Sequence, residues 1–167
     1  MGLFARLTRK SEAPQKEKLV VLAPVSGEVV SLEDGGDQAF ASRALGDGVA
    51  IIPRSGPVLA PVAGTVEALF PTAHALAIQA DDGKTQVMVH IGVDTVNMAG
   101  DGFSALVTPG ERVSAGQPLI DVDVERISQA GYRPTTFVTL CAREPGTSVR
   151  EHEAGAVAAG DALLWLS

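Results

Sequence analysis

The sequence predicts an all-β domain, a duplicated β-sandwich or barrel-like fold with a few short helical turns. Nine short apolar or alternating runs follow one another, separated by glycine and proline. Strands at this spacing are typical of sandwiches and barrels. Two internal sequence repeats add that two related halves pack together.

The predicted strands begin near residue 19, where a charged segment ends. Each run is five to nine residues long and is either alternating or continuously apolar, which suits a strand with at least one buried face. The runs cover residues 19–23, 27–32, 49–53, 64–70, 74–80, 85–93, 117–124, 135–142 and 161–166.

Short helical turns are expected at residues 38–44, 102–107 and 124–130. The third has the clearest signals, because Asp123 can accept a hydrogen bond from its first turn and Gly131 can end it.

Two repeats indicate the duplication. Ala23-Pro24-Val25-Ser26-Gly27-Glu28-Val29 returns 37 residues later as Ala60-Pro61-Val62-Ala63-Gly64-Thr65-Val66. Val113, Gly116 and Leu119 return as Val157, Gly160 and Leu163, a pattern that favours a turn followed by a buried strand.

Composition and charge exclude several classes of protein. Apolar residues make up 46% of the 167 residues and aromatic residues only 4%, so a globular core of Val, Leu, Ile and Ala is expected. The formal charge is -7, and because residues 1–18 carry +3, the remaining residues carry -10. An acidic body argues against nucleic-acid binding. A single cysteine rules out an internal disulfide, and no apolar run reaches the ~18 residues of a membrane span. We expect a cytoplasmic monomer with one domain over residues 19–167.

Residues 1–18 are expected to form a flexible basic tail and linker. Leu3, Phe4 and Leu7 share one side of a short helical pattern, with basic residues on the other. Two interpretations stay open: a weak anchor at the inner face of the membrane, or a disordered tail, since a helix of ~10 residues is marginal in water.

Two of the three histidines lie in one predicted hairpin. A three-residue loop over residues 81–83 would place His74 directly opposite His90, with their β-carbons ~5 Å apart on the same face. A loop of two or four residues would put the rings on opposite faces. Neighbouring imidazoles suit metal binding, acid–base work or phosphoryl transfer through a histidine nucleophile.

The motifs around these histidines resemble a known family, the glucose-class enzyme IIA of the bacterial phosphoenolpyruvate:sugar phosphotransferase system. The resemblance covers essentially all of residues 19–167. It rests on Phe70-Pro71-Thr72-Ala73-His74-Ala75, on His90-Ile91-Gly92-Val93-Asp94-Thr95-Val96 and on Gly100-Asp101-Gly102-Phe103.

The resemblance implies that His90 accepts a phosphoryl group on Nε2 from phosphorylated HPr and passes it to the cysteine of a IIB or IIBC sugar permease. His74 would be the supporting ring, oriented by the Thr72 hydroxyl. No cofactor is implied. The unphosphorylated form would also bind regulated transporters or metabolic enzymes.

A docking ring is implied as well. Asp37 and Asp94 match acidic positions at the rim of the family's site, where they suit arginines of partner proteins. The matching apolar positions are Phe40, Leu45, Phe70 and Val96.

This chain departs from the family at four further positions and in one loop. Gln38 and Ala39 replace apolar residues, and Leu76 and Met88 stand where aromatic residues are common, so a softer ring is expected. The loop between the two histidines is one residue longer than usual.

Two alternatives belong to other classes. A zinc metallopeptidase of the LytM type has an H-x-x-x-D motif, which His90 and Asp94 fit, but its H-x-H motif is absent and His152 stands alone. His74 and His90 could still hold zinc together with a partner carboxylate. The other alternative is a phosphate-sensing regulator without transport duty. Cys141, in an apolar run, is predicted to be a buried thiol.

Overall fold

The computed structural model describes residues 17–167 and is dominated by strands. The proposed membrane anchor therefore lies almost wholly outside the described residues. None of the helices within residues 17–167 combines the length and apolar character that a membrane span needs.

Fourteen strands and two short α-helices are present in the described part of the chain. The strands are Leu19–Leu22 (β1), Gly27–Ser31 (β2), Asp47–Pro53 (β3), Val58–Leu59 (β4), Gly64–Leu69 (β5), Ala75–Ala80 (β6), Gln86–Ile91 (β7), Phe103–Ala105 (β8), Arg112–Val113 (β9), Pro118–Val122 (β10), Thr136–Ala142 (β11), Val149–Glu151 (β12), Gly155–Val157 (β13) and Ala162–Leu166 (β14). The helices are Gln38–Ala41 (α1) and Val124–Gln129 (α2), and 3-10 turns cover Leu32–Asp34 and Thr95–Met98.

One large antiparallel sheet carries the fold. Its eight strands run in the order β13-β2-β3-β11-β7-β6-β5-β9, and two three-stranded sheets, β1-β14-β12 and β4-β10-β8, complete the sandwich. The central strands β11 and β7 come from different halves of the chain, so the sheet is continuous across the duplication.

The two sequence repeats occupy equivalent places in the two halves. Gly27 pairs with Val157, and Gly64 pairs with Val113. A copy of the first repeat therefore pairs with a copy of the second repeat in the same way at both places. The Leu22 amide donates to the Pro61 carbonyl at 2.8 Å, and the Leu59 amide donates to the Pro24 carbonyl at 2.9 Å. These reciprocal hydrogen bonds join the halves, and the predicted duplication is confirmed.

The nine predicted strands are all present, each within two residues of its expected ends. The helical turns at residues 38–44 and 124–130 are confirmed in shortened form. Asp123 Oδ1 accepts from the Arg126 amide at 3.0 Å, and Gly131 has a φ of +89°.

The predicted turn at residues 102–107 is wrong. Phe103–Ala105 is a strand that pairs with β10, because an extended partner lies beside it. Strands β4, β9, β12 and β13 were missed as well. Each has only two or three residues, too few to show a period.

Alternation along the central strands separates two cores. Val87, Val89 and Ile91 of β7 point into the main core, and Met88 and His90 therefore face the other side of the sheet. That side carries a second, smaller cluster, defined here as the outer cluster: buried Leu32, Phe40, Ala50 and Phe137, with partly buried Val30, Leu45, Met88 and Val93. His90 thus projects into a largely apolar surface that α1 covers.

Thr139 is expected to limit stability. Its side chain is fully buried on β11, and its hydroxyl has no hydrogen-bond partner among residues 17–167. An unmade buried hydrogen bond costs about 1–3 kcal/mol, so Thr139→Val should raise the free energy of unfolding by about 1 kcal/mol in a urea titration.

Thr136 provides the matched control, because it is equally buried and its hydroxyl donates to the Pro134 carbonyl at 3.2 Å. Thr136→Val should therefore destabilise the protein. A Thr139→Val variant that is less stable than the natural chain would contradict the prediction.

Candidate functional site

The rings of His74 and His90 meet at the centre of the candidate site. Their centroids are 5.2 Å apart and their planes are almost perpendicular, at 84°. His90 lies on β7, and His74 lies just before β6 starts at Ala75. The sequence prediction that the two imidazoles are neighbours is confirmed.

The predicted hairpin register is wrong. Ala75, not His74, lies opposite His90, and the Ala80 amide donates to the Thr85 carbonyl, so the loop has four residues. The rings still meet because His74 is outside the regular strand. Ala73 has a left-handed φ of +57°, which turns the chain there and frees the His74 ring from the alternation of β6.

Thr72 fixes the orientation of His74. Its Oγ1 lies 2.6 Å from Nδ1 of His74, and the ring is only 3% exposed. When the hydroxyl donates to Nδ1, the ring proton lies on Nε2. In that tautomer the second ring nitrogen of His74 is an N–H donor.

The His90 ring is held by two phenylalanines and by the turn that follows it. Its centroid is 5.1 Å from that of Phe40 and 6.2 Å from that of Phe137. Nδ1 is buried, and no described residue forms a hydrogen bond with it. Nε2 is therefore the nitrogen that faces outward. Thr95 Oγ1 donates to the Ile91 carbonyl and secures the turn.

Burial lowers the pKa of both imidazoles. The pKa of His74 is lowered by burial alone. For His90, burial has the largest effect on the pKa, and a charge on His74 acts in the same direction. Asp37, the Gly92 backbone and Asp94 raise the His90 pKa but do not cancel the decrease. Both rings are consequently neutral near pH 7, the form in which imidazole is a nucleophile.

The lowered pKa values predict an NMR titration in which both rings become half-protonated below about pH 6.5. In the unfolded chain the rings have their ordinary pKa and bind more protons between that value and the folded one. Stability should therefore fall as the pH drops below about 6.5.

A His74→Gln variant should shift the His90 midpoint upward, because it removes the neighbouring charge that helps to lower the pKa. Midpoints at or above the ordinary histidine value in the natural chain would contradict the assigned environment.

Two carboxylates, Asp37 and Asp94, act on His90 electrostatically. Asp37 caps α1, where its Oδ1 accepts from the Ala39 amide at 2.9 Å. Asp94 is exposed, with a left-handed φ of +60° and no side-chain capping bond. The charges of both carboxylates raise the pKa of His90, so both lie near enough to act on its ring. Their place at the rim of a docking surface stays a prediction.

The apolar positions of the predicted docking ring divide into two groups. Phe70 and Val96 are 47% and 52% exposed, and Leu45 is half-buried. Phe40 differs from expectation: it is 2% exposed and stacks on Phe137 at 4.1 Å, so its ring forms a wall of the His90 pocket. Phe40 is therefore unavailable to a partner in this conformation.

Leu76 does not belong to the expected softer ring. Leu76 is 1% exposed and belongs to the main core, so its size does not affect the docking surface. Met88 is partly buried against the outer cluster. Gln38 and Ala39 are exposed beside the site, as a role in docking requires.

Phe137 is a site residue that the sequence did not reveal. It lies directly opposite His90 in the sheet and is fully buried beneath Phe40. The sequence predicts a strand over residues 135–142, but it does not show that this strand pairs with β7, and that pairing brings Phe137 to His90.

The histidine pair alone is an incomplete zinc site. Among residues 17–167, no group of three or more His, Cys, Asp or Glu side chains is placed to hold a metal ion. Shared zinc binding by His74 and His90 stays a prediction. Cys141 was predicted to be buried, and this is wrong: it is exposed at a bulge of β11, although partial burial raises the pKa of its thiol.

Comparisons with known proteins agree with this architecture. The chain is similar to the glucose permease IIA from Mycoplasma capricolum, with a TM-score of 0.82 and 35% identity over 88% of this chain and 94% of that chain. It is 40% identical over 139 residues to a PTS system glucose-specific EIIA component of Halalkalibacterium halodurans, covering 83% of this chain and 79% of the relative. A Staphylococcus aureus (strain COL) protein of the same description is 35% identical over 95% of both chains.

The fold, the paired imidazoles and these relatives define a phosphotransfer component of a sugar transport system. The family model for the phosphoenolpyruvate-dependent sugar phosphotransferase system, EIIA 1, matches residues 19–145. The chain belongs to this EIIA family, rather than to the LytM-type metallopeptidases.

Proposed function

We propose that His90 is the phosphoryl acceptor of a glucose-type or N-acetylglucosamine-type EIIA, receiving the group from phosphorylated HPr and giving it to a IIB cysteine. The observation that carries this proposal is the pair of imidazoles 5.2 Å apart, one anchored by Thr72 and the other with its Nδ1 buried. The glucose specificity in the names of the relatives supports the choice of sugar class.

In the first transfer, the Nε2 lone pair of neutral His90 attacks phosphorus while the N–P bond to the HPr histidine breaks and its electron pair returns to that ring. The proton on His90 Nδ1 stays in place during this step. In the second transfer, a cysteine thiolate attacks phosphorus and the electron pair of the N–P bond returns to His90 Nε2. The Nε2–H of His74 donates to the phosphoryl oxygens during both steps.

Charge on the rim supports a basic partner. The negative charges of Asp37 and Asp94 act on the ring, and the body of the protein is acidic. Such a surface attracts cationic proteins and raises their association rate. HPr and IIB would dock on Phe70, Val96 and Leu45, and the same surface would serve regulated transporters or metabolic enzymes when His90 is free.

Tryptic mapping of a phosphate label tests the proposal directly. Labelled phosphoenolpyruvate, enzyme I and HPr should produce a phosphate that is labile in acid and stable in alkali. Cleavage after lysine and arginine places the three histidines in separate peptides, 55–84, 85–112 and 151–167. The label should appear in peptide 85–112, which contains His90.

The absence of label, or label confined to another peptide, would overturn the assignment of His90. A label in peptide 85–112 that a IIB domain cannot remove would instead favour the phosphate-sensing regulator without transport duty.

A further inference from the structure

A short segment, residues 37–45, covers the outer cluster and carries both Asp37 and Phe40. We propose that Arg43 is a positioning residue: its guanidinium clamps this segment so that the Phe40 ring stays against His90. The consequence for phosphoryl transfer rests on the function proposed above, whereas the clamp itself can be tested without it.

Arg43 connects the segment to three separate parts of the fold. Its Nε donates to Glu33 Oε1 at 3.0 Å, in the 3-10 turn Leu32–Asp34. Its Nη1 donates to Asp47 Oδ1 at the start of β3 and to Glu151 Oε1 at the end of β12, both at 3.1 Å. The other Asp47 oxygen accepts from Arg143 Nη2 at 2.9 Å. The clamp is therefore a network rather than one pair.

The backbone at Arg43 adapts to this network. Arg43 follows the last capping residue of α1 and has a left-handed φ of +60°, a position that usually holds glycine because other side chains are strained there. Its amide donates to the Phe40 carbonyl at 2.9 Å, and its carbonyl accepts from the Gly46 amide at 3.1 Å. We infer that the hydrogen bonds of the guanidinium offset the backbone strain at Arg43.

The network is also partly buried, so its ion pairs contribute to holding the segment in place. Four of its side chains, Arg43, Asp47, Arg143 and Glu151, are only 31–37% exposed. Isolated surface ion pairs contribute little, but connected and partly buried charges contribute more. The two arginines lower the pKa of Asp47, Arg143 most strongly, and the carboxylates raise the pKa of Arg43.

Releasing the clamp would affect the site through Phe40. The Phe40 ring packs against both Phe137 and His90, and Phe40 lies three residues before Arg43. If the segment lifts, water reaches the His90 ring and the capping carboxylate of Asp37 moves with it. Phosphoryl acceptance should slow, and phosphorylated His90 should hydrolyse faster.

Arg43→Gly is the sharpest test, because glycine accepts the left-handed backbone without strain and the whole arginine side chain, with its guanidinium, is removed. We expect amide exchange at Ala41, Ser42 and Arg43 to speed up about tenfold and the ring-to-ring contact of Phe40 and His90 to weaken in NMR spectra. Arg43→Lys should restore part of both. Phosphoryl acceptance at saturating HPr should fall several-fold in Arg43→Gly.

Arg112→Ala is the matched control. Arg112 bonds to Asp81 twice, at 3.0 and 3.3 Å, beside the loop at the opposite end of β7 from His90. It should lose an ion pair without changing exchange at residues 41–43.

Unchanged exchange and an unchanged Phe40–His90 contact in Arg43→Gly would overturn the clamp, whatever the transfer rate. Loosening without slower acceptance would show that Arg43 holds the segment for stability only. If the natural chain accepts no phosphoryl group, the proposed function fails, while the NMR measurements still decide the clamp.

Discussion

His90→Gln should accept no phosphoryl group from phosphorylated HPr, a loss of at least about 10³-fold in rate. Glutamine approximates the size of the imidazole, but its amide nitrogen has no nucleophilic lone pair. His74 cannot replace the lost ring, because Thr72 occupies its Nδ1 and the side chain is 3% exposed. Acceptance is measured as label transferred per minute at saturating HPr.

The control for this experiment is His152→Gln. His152 lies between β12 and β13, and its Nδ1 lies 2.5 Å from the Glu153 carbonyl. This variant should accept phosphate at the natural rate. Near-normal labelling of His90→Gln, in peptide 55–84, would move the acceptor role to His74. Thermal unfolding of each variant checks that the fold is retained.

The sequence predicts that the two histidines are neighbours, but the strand register that this prediction uses is not the observed one. A hairpin count placed both rings on one face through strand alternation, and the loop in fact has one residue more. The left-handed backbone of Ala73 brings the His74 ring to the His90 ring in spite of this register. A single sequence does not show that an alanine adopts this conformation. The resemblance to the family implies the same two histidines without depending on the hairpin count.

The walls of the site could not be predicted, because they depend on contacts between distant segments. Phe40 and Phe137 are almost 100 residues apart, yet they stack, and strand pairing puts Phe137 opposite His90. From the sequence alone, an isolated phenylalanine in a polar segment is as consistent with an exposed docking residue as with a buried one. Only the sheet order, with β11 between β3 and β7, shows that α1 lies over an apolar surface.

The duplication provides two equivalent positions in the sheet, and the site occurs at only one of them. His90 lies between Ala75 and Phe137 in the sheet, and in the other half Thr139 lies between Gly48 and Met88. The exchange of β7 with β11 that relates the halves makes Thr139 the counterpart of His90. Both side chains are polar groups with a buried, unpaired atom on the same face. The fold thus provides two similar positions, and only one carries an imidazole with an accessible nitrogen.

His74→Gln is expected to separate the two transfers that His90 performs. Acceptance should stay within a few-fold of the natural rate, since a neutral imidazole attacks and the HPr ring leaves with its own electron pair. Donation should fall by about 10²-fold, the usual cost of losing one donor to a developing charge. A thiolate brings an additional negative charge to the phosphoryl group, so the His74 N–H matters most in that step.

Thr72→Ser and Thr72→Val give a matched pair for the same effect. Serine keeps the hydroxyl that lies 2.6 Å from His74 Nδ1, and valine keeps the shape but removes the oxygen. Donation to a IIB domain, measured by single-turnover loss of label, should be near normal in Thr72→Ser and reduced in Thr72→Val. Equal donation by His74→Gln and the natural chain would mean that the second imidazole does not support transfer. Equal loss of acceptance and donation would mean that it acts on the His90 nucleophile itself rather than on the phosphoryl charge.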